Sequence, residues 1–162
     1  MTLSFLTAPS FHSIILLKTI NNDKTFIPTG GTIIDIINST QTMQQHAEST
    51  RLEGKTLAFV PTMGFLHEGH LSLLRLAKQY GDHIILSILV NPTQFGPEED
   101  LDAYPRSFEK DCQAAEKEGV DIIFAPEKSD LYDDDFETFV VLENLPNHLC
   151  GLSRPTHFRG VA

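Results

Sequence analysis

Cysteine is scarce in this chain: Cys112 and Cys150 stand far apart, and neither belongs to the C-x-x-C spacing that marks zinc or redox sites. A single disulfide between them is the alternative to the expected state, two reduced and partly buried thiols of an intracellular protein. Basic residues are also in deficit, 12 against 22 acidic ones, for a formal net charge of −10. Such a surface repels nucleic acid and anionic membrane, so a small substrate is expected. Any phosphate it binds must meet local donors, namely helix N-termini, histidines or a few lysines. Long apolar runs are missing too. The early stretch Phe11 to Leu17 is short, carries His12 and Ser13, and has no basic residue before it. It makes a poor signal peptide and falls well short of a membrane span, so a cytoplasmic location is expected. No internal repeat or low-complexity tract is present.

What is there is the balance of one globular domain: 162 residues, 41% hydrophobic and 21% charged. Residues 1–31 read as an extension of unknown role, punctuated by Pro9, Pro28 and Gly30-Gly31, with a strand or short helix in its middle and a turn at its end. Residues 32–162 read as the nucleotide-binding domain developed below. A helix is expected over residues 39–53, then a buried strand Leu57 to Val60 ended by Pro61. Leu71, Leu74, Ala77 and Tyr80 recur at helical spacing up to Gly81. The run His83 to Val90 is nearly continuous in hydrophobicity, as in a central parallel strand covered on both faces. A helix over residues 106–118, stopped by Gly119, precedes a strand from Val120 to Ala125. A further strand is expected from Glu137 to Leu142, behind a solvated Asp133-Asp134-Asp135 loop, and the segment from His157 to Ala162 reads as the first turn of a helix. Alternating strands and helices imply right-handed crossovers and a Rossmann-like α/β fold, a parallel sheet flanked by helices.

The chemistry concentrates in Pro61-Thr62-Met63-Gly64-Phe65-Leu66-His67-Glu68-Gly69-His70, which joins a buried strand to an amphipathic helix. In an open α/β sheet that junction is where ligands bind. Gly64 admits a backbone conformation closed to other residues, and Gly69 permits close contact at the helix start. The helix N-terminus offers free N–H groups to phosphate. His67 and His70 are spaced so that their rings converge at that terminus, where each can donate an N–H as charge builds on phosphate. Zinc would need a third or fourth ligand that the sequence does not convincingly supply, so no metal site is expected. Asn91 and Gln94 follow the carboxyl end of the next strand and can face the same crevice, Gln94 with both donor and acceptor atoms.

An H-x-G-H element resembles the signature of a broad nucleotidyltransferase superfamily. The longer string from Pro61 to His70 is similar to that of the pantothenate synthetase (pantoate–β-alanine ligase) family. The same resemblance extends to Val90-Asn91-Pro92-x-Gln94-Phe95-Gly96, to Asp100-Leu101-x-x-Tyr104-Pro105-Arg106, and to Ser153-Arg154-Pro155-Thr156-His157-Phe158-Arg159-Gly160-Val161. The resemblance implies the HxGH nucleotidyltransferase type of fold and an ATP- and Mg2+-dependent ligase, which joins pantoate to β-alanine through pantoyl adenylate. It implies that Met63, Gly64, Phe65, Leu66, His67, Glu68, Gly69 and His70 hold ATP, with His70 the proton donor and His67 a second phosphate-directed donor. Gln94, with Pro61, Met63 and Asn91, would hold pantoate and β-alanine. A homodimer formed largely through this domain is also implied.

Members of that family continue for about as many residues again, with a Gly-Glu-Lys-Asp loop and a Ser-Ser-Arg segment that bring positive charge to the phosphates. This chain carries neither, so weak ATP binding and negligible turnover are expected of it alone. Cys150 stands where the family usually carries glutamate. Two other readings stand beside this one: a different HxGH nucleotidyltransferase, and a non-catalytic dimerising module.

Overall fold

The computed structural model describes residues 25–26, 34–96, 99 and 101–162. Within them run β1 (Thr25–Phe26), β2 (Ile34–Ile37), α1 (Thr40–Leu52), β3 (Leu57–Thr62), α2 (Glu68–Ala77), β4 (His83–Ile88), α3 (Phe108–Lys117), β5 (Ile122–Phe124) and α4 (His157–Val161). The expectation for Phe11 to Leu17 lies outside the described residues.

The strands form one sheet in the order β1-β2-β5-β4-β3. All pairings are parallel except that of β1 with β2. The chain steps from β3 to β4 to β5 in one direction across the sheet but from β2 to β3 in the other. With right-handed crossovers, α2 and α3 must therefore cover one face and α1 the opposite face. The packing follows. Leu74 and Ala77 of α2 and Cys112 and Ala115 of α3 join Ile84, Leu86 and Ile123 in one core, whereas Met43 of α1 joins Ile85, Ile122 and Phe124 in another. Successive residues of β4 and β5 thus serve opposite faces, as the pleat requires. Both strands are buried throughout their centres, which accounts for their unbroken hydrophobicity.

Three differences from expectation have physical reasons. Ile34–Ile37 is a strand that a short Ile-Asp-Ile-Ile string hardly advertises, stabilised by its ladder to β5. Pro61 does not end its strand: β3 runs on to Thr62. Among the described residues β3 has a strand on one side only, and an edge tolerates a residue without an N–H. Glu137 to Leu142 forms no strand, and Val140 and Val141 are exposed. Its β-branched and aromatic residues find no described strand to pair with, and the region carries aromatic contacts instead, Phe136 meeting Tyr132 and Phe139 edge-on. Both cysteines are free thiols, Cys112 buried in the core.

Candidate functional site

The end of β3 is tied to its neighbour before the chain turns. Thr62 donates its hydroxyl to the Ser87 carbonyl (2.8 Å), and its Oγ1 accepts the Gly64 amide (3.2 Å). Two consecutive left-handed residues then reverse the backbone, Gly64 at φ 81° and Phe65 at φ 52°. For phenylalanine this conformation costs on the order of 1–2 kcal/mol, so something must hold it. That something is Asp111 of α3, whose side chain is buried, and whose two carboxylate oxygens accept the amides of Phe65 (2.8 Å) and Leu66 (2.7 Å). A β-carbon on Gly64 would approach Asp111 Oδ2 and Ile88 Cγ2 to 3.1 Å.

The turn delivers His67 as the N-cap of α2. The Gly69 amide donates to His67 Nδ1 (3.1 Å), and the His67 amide donates to His70 Nδ1 (3.3 Å). Each imidazole therefore presents its Nδ1 lone pair to the backbone, which assigns both rings to the neutral tautomer with the proton on Nε2. The arrangement has the form of a capping box with histidine in both roles. Ring centroids lie 4.1 Å apart, so the two Nε2–H donors come from one corner of the molecule. Burial lowers the His70 pKa below the ordinary imidazole value, and the neighbouring His67 lowers it further, against an upward pull from Asp111. Glu68, in the same segment, is paired with Arg75, which also reaches Glu118 at 2.6 Å and so ties α2 to the end of α3.

The second segment follows β4. Asn91 caps a 3-10 turn over Pro92–Gln94. Its Oδ1 accepts from the Thr93 amide (3.2 Å), the Thr93 hydroxyl (2.7 Å) and the Tyr132 hydroxyl (3.1 Å), and its Nδ2 donates to the Gly160 carbonyl (3.0 Å). The Asn91 amide is thus occupied with building the turn. The carbonyl of Gln94 accepts from Arg154 (3.1 Å) and from His157 Nδ1 (3.1 Å). Arg154 also pairs with Glu99 at 2.6 Å. The Gly96 amide and then Arg154 hold the Glu99 carboxyl below its usual range. A cavity of about 420 Å³ beside this turn is lined by Thr93, Phe95, Gly96, Phe139, Thr156 and Arg159, with Arg159 stacked 3.6 Å over the Phe139 ring.

The structure thus brings His67 and His70 together at a helix N-terminus. Met63, Gly64, Phe65 and Leu66 form the turn before them, and Pro61 lies in the last part of β3. It joins the segment around Gln94 to that around Arg154 and His157, which spacing did not reveal. Sequence reasoning missed Asp111. Its signal was a carboxylate on the apolar stripe of α3, next to Cys112 and one turn before Ala115.

Residues 35–162 match the family model described as pantoate-beta-alanine ligase. The chain is 58% identical over 129 residues to the pantothenate synthetase of Desulfatibacillum aliphaticivorans, covering 80% of this chain and 46% of that protein. It is 54% identical over 127 residues to the enzyme of the same name from Caldicellulosiruptor bescii, covering 78% and 45%. Among solved structures, pantothenate synthetase from Thermus thermophilus superposes with a TM-score of 0.69 at 38% identity, over 78% of this chain and 44% of that one. Pantoate-beta-alanine ligase from Francisella tularensis, complexed with beta-gamma ATP and beta-alanine, superposes with a TM-score of 0.71 at 37% identity, over 77% and 48%. The chain spans about half the length of the curated relatives it matches.

Proposed function

Because the chain belongs to the pantoate-beta-alanine ligase family, we propose that residues 32–162 form the ATP-holding half of a ligase that joins pantoate to β-alanine, preceded by residues 1–31 as an extension of unknown role whose Thr25–Phe26 pairs with β2. In the first step a pantoate carboxylate oxygen bonds to the α-phosphorus of ATP as the bond to the bridging oxygen breaks, releasing pyrophosphate. In the second the amine of β-alanine attacks the acyl carbon, AMP leaves with the C–O bonding pair, and the amine loses a proton.

The observation that carries this reading is the pair of Nε2–H donors at the start of α2. Donors fixed before the reaction begins stabilise charge developing on phosphate without reorganising, and removing one such donor typically slows an enzyme about a hundredfold or more. On this reading His70 donates to the phosphate group that becomes the leaving pyrophosphate and His67 donates beside it. The turn from Met63 to Leu66, with Gly69, lets the backbone approach the nucleotide. Glu68 contributes from its place in the segment, through the pair that fixes Arg75. Gln94 holds pantoate, with Asn91 building its turn, and Pro61 and Met63 supply apolar contact.

Magnesium accompanies ATP in this reading, yet the residues at hand do not make a cradle for it. Asp111 is committed to two amides and Glu68 to Arg75, and among the described residues no cluster of three or more His, Cys, Asp or Glu suits a metal ion. A homodimer and a cytoplasmic site of action belong to the same reading. The two free thiols support the second, and no helix among the described residues is long and apolar enough to cross a membrane.

Calorimetric titration with pantoate in the presence of a nonhydrolysable ATP analogue tests the assignment. Saturable pantoate binding that disappears in Gln94→Ala is the expected result. Indifference to pantoate in the native chain, with the nucleotide bound, would point to another carboxylate or phosphate ester as substrate.

A further inference from the structure

We propose that Asp111 is a positioning residue for this reaction, its buried carboxylate clamping the Gly64–Leu66 turn in the left-handed form that sets the His67–His70 donor pair. The proposal rests on the ATP-holding role above for its functional half and on geometry for the rest. Asp111 is 3% exposed and sits in the first turn of α3, not on the segment it holds. Its two oxygens each take one amide, from consecutive residues, at 2.8 and 2.7 Å. Burying a carboxylate is costly unless donors surround it, and main-chain amides meet that need here. In return the clamp holds Phe65 at φ 52° directly before the Leu66–His67 step into the helix. Without it, the left-handed pair Gly64-Phe65 is free to relax, and His67 and His70 would lose their common origin. α3 thereby acts on the phosphate donors without touching the nucleotide.

The clamp also explains why Gly64 is glycine. A β-carbon there would face both the carboxylate and Ile88, so the three elements β4, α3 and the turn close on one point.

The test is an NMR titration of the chain with β,γ-methylene ATP, comparing the native protein with Asp111→Asn and with Met43→Ala. Met43 lies in the core on the opposite face of the sheet, so its truncation supplies a loss of stability unrelated to the turn. In the native chain the Phe65 and Leu66 amide protons are expected downfield and protected from exchange like those of α3. Asn offers an N–H where a carboxylate oxygen accepted, so one amide loses its partner. The analogue should then bind about tenfold or more weakly, while Met43→Ala binds within about twofold of native. Equal weakening in both variants, in proportion to their melting temperatures, would reduce Asp111 to a structural residue and overturn the proposal. So would unprotected Phe65 and Leu66 amides in the native chain, a measurement that needs no variant to fold. If Asp111→Asn does not fold, Asp111→Glu keeps the charge but displaces it, and the same divergence from Met43→Ala is required. Absence of any analogue binding to the native chain would count against the ATP-holding role, and the amide protection would still decide the clamp.

Discussion

On the proposed reading His67 has two tasks for its two nitrogens. Nδ1 accepts the Gly69 amide and so starts α2, which leaves the Nε2 proton for a ligand. The tasks are separable. His67→Asn keeps a side-chain acceptor at the cap, so thermal stability should stay within about 1 kcal/mol of native, whereas binding of an ATP analogue should weaken severalfold. His67→Ala should lose both, as differential melting and titration of the pair would show. His70 adds a pH dependence. Its folded pKa is depressed, first by burial and then by His67, so it binds a proton less readily folded than unfolded. The stability it contributes is therefore fully present above the unfolded imidazole value and is lost as pH falls through the depressed folded one, where protonated Nδ1 can no longer accept the His67 amide. Melting temperature followed from about pH 8 to about pH 5 should fall below neutrality, and this component should vanish in His70→Asn. His46, lowered by burial and by His83, supplies a separate component that persists in that variant.

At the scale of elements, the turn between β3 and α2 tolerates little change of its backbone. Gly64→Ala places a side chain at φ 81° and within 3.1 Å of Asp111 Oδ2 and Ile88 Cγ2. A loss of about 1–3 kcal/mol is expected, readable as a drop of several degrees in melting temperature. Much of this level was legible beforehand. The apolar run His83 to Val90 announced a strand covered on both faces, and the helix expected over residues 39–53 is α1, Thr40–Leu52. The glycine-spaced histidines marked the start of α2. What stayed hidden depends on partners distant in sequence. β2 is held by β5, the run of β-prone residues from Glu137 to Leu142 found no described strand beside it, and Asp111 meets residues more than forty positions earlier. Periodicity reports which face of an element is apolar. It does not report which backbone amides wait on the other side.

For the whole molecule the decisive quantity is charge. A net −10 surface opposes a polyphosphate, and the expected free helix amides are in part taken: those of His67 and Gly69 donate to the two Nδ1 atoms, which leaves the neutral imidazoles as the donors at the start of α2. Nucleotide affinity of the chain by itself should accordingly be weak and should improve as added salt screens the repulsion, the reverse of a lysine-lined site. The central claim is that two neutral imidazoles with Nε2–H protons hold the phosphates. Long-range proton–nitrogen correlation of the histidine rings during titration with β,γ-methylene ATP tests it most directly. His67 and His70 should both appear as Nε2–H tautomers, and their Nε2 resonances should move together along one saturation curve. Rings found with the proton on Nδ1, or Nε2 resonances that stay fixed while other signals saturate, would contradict it.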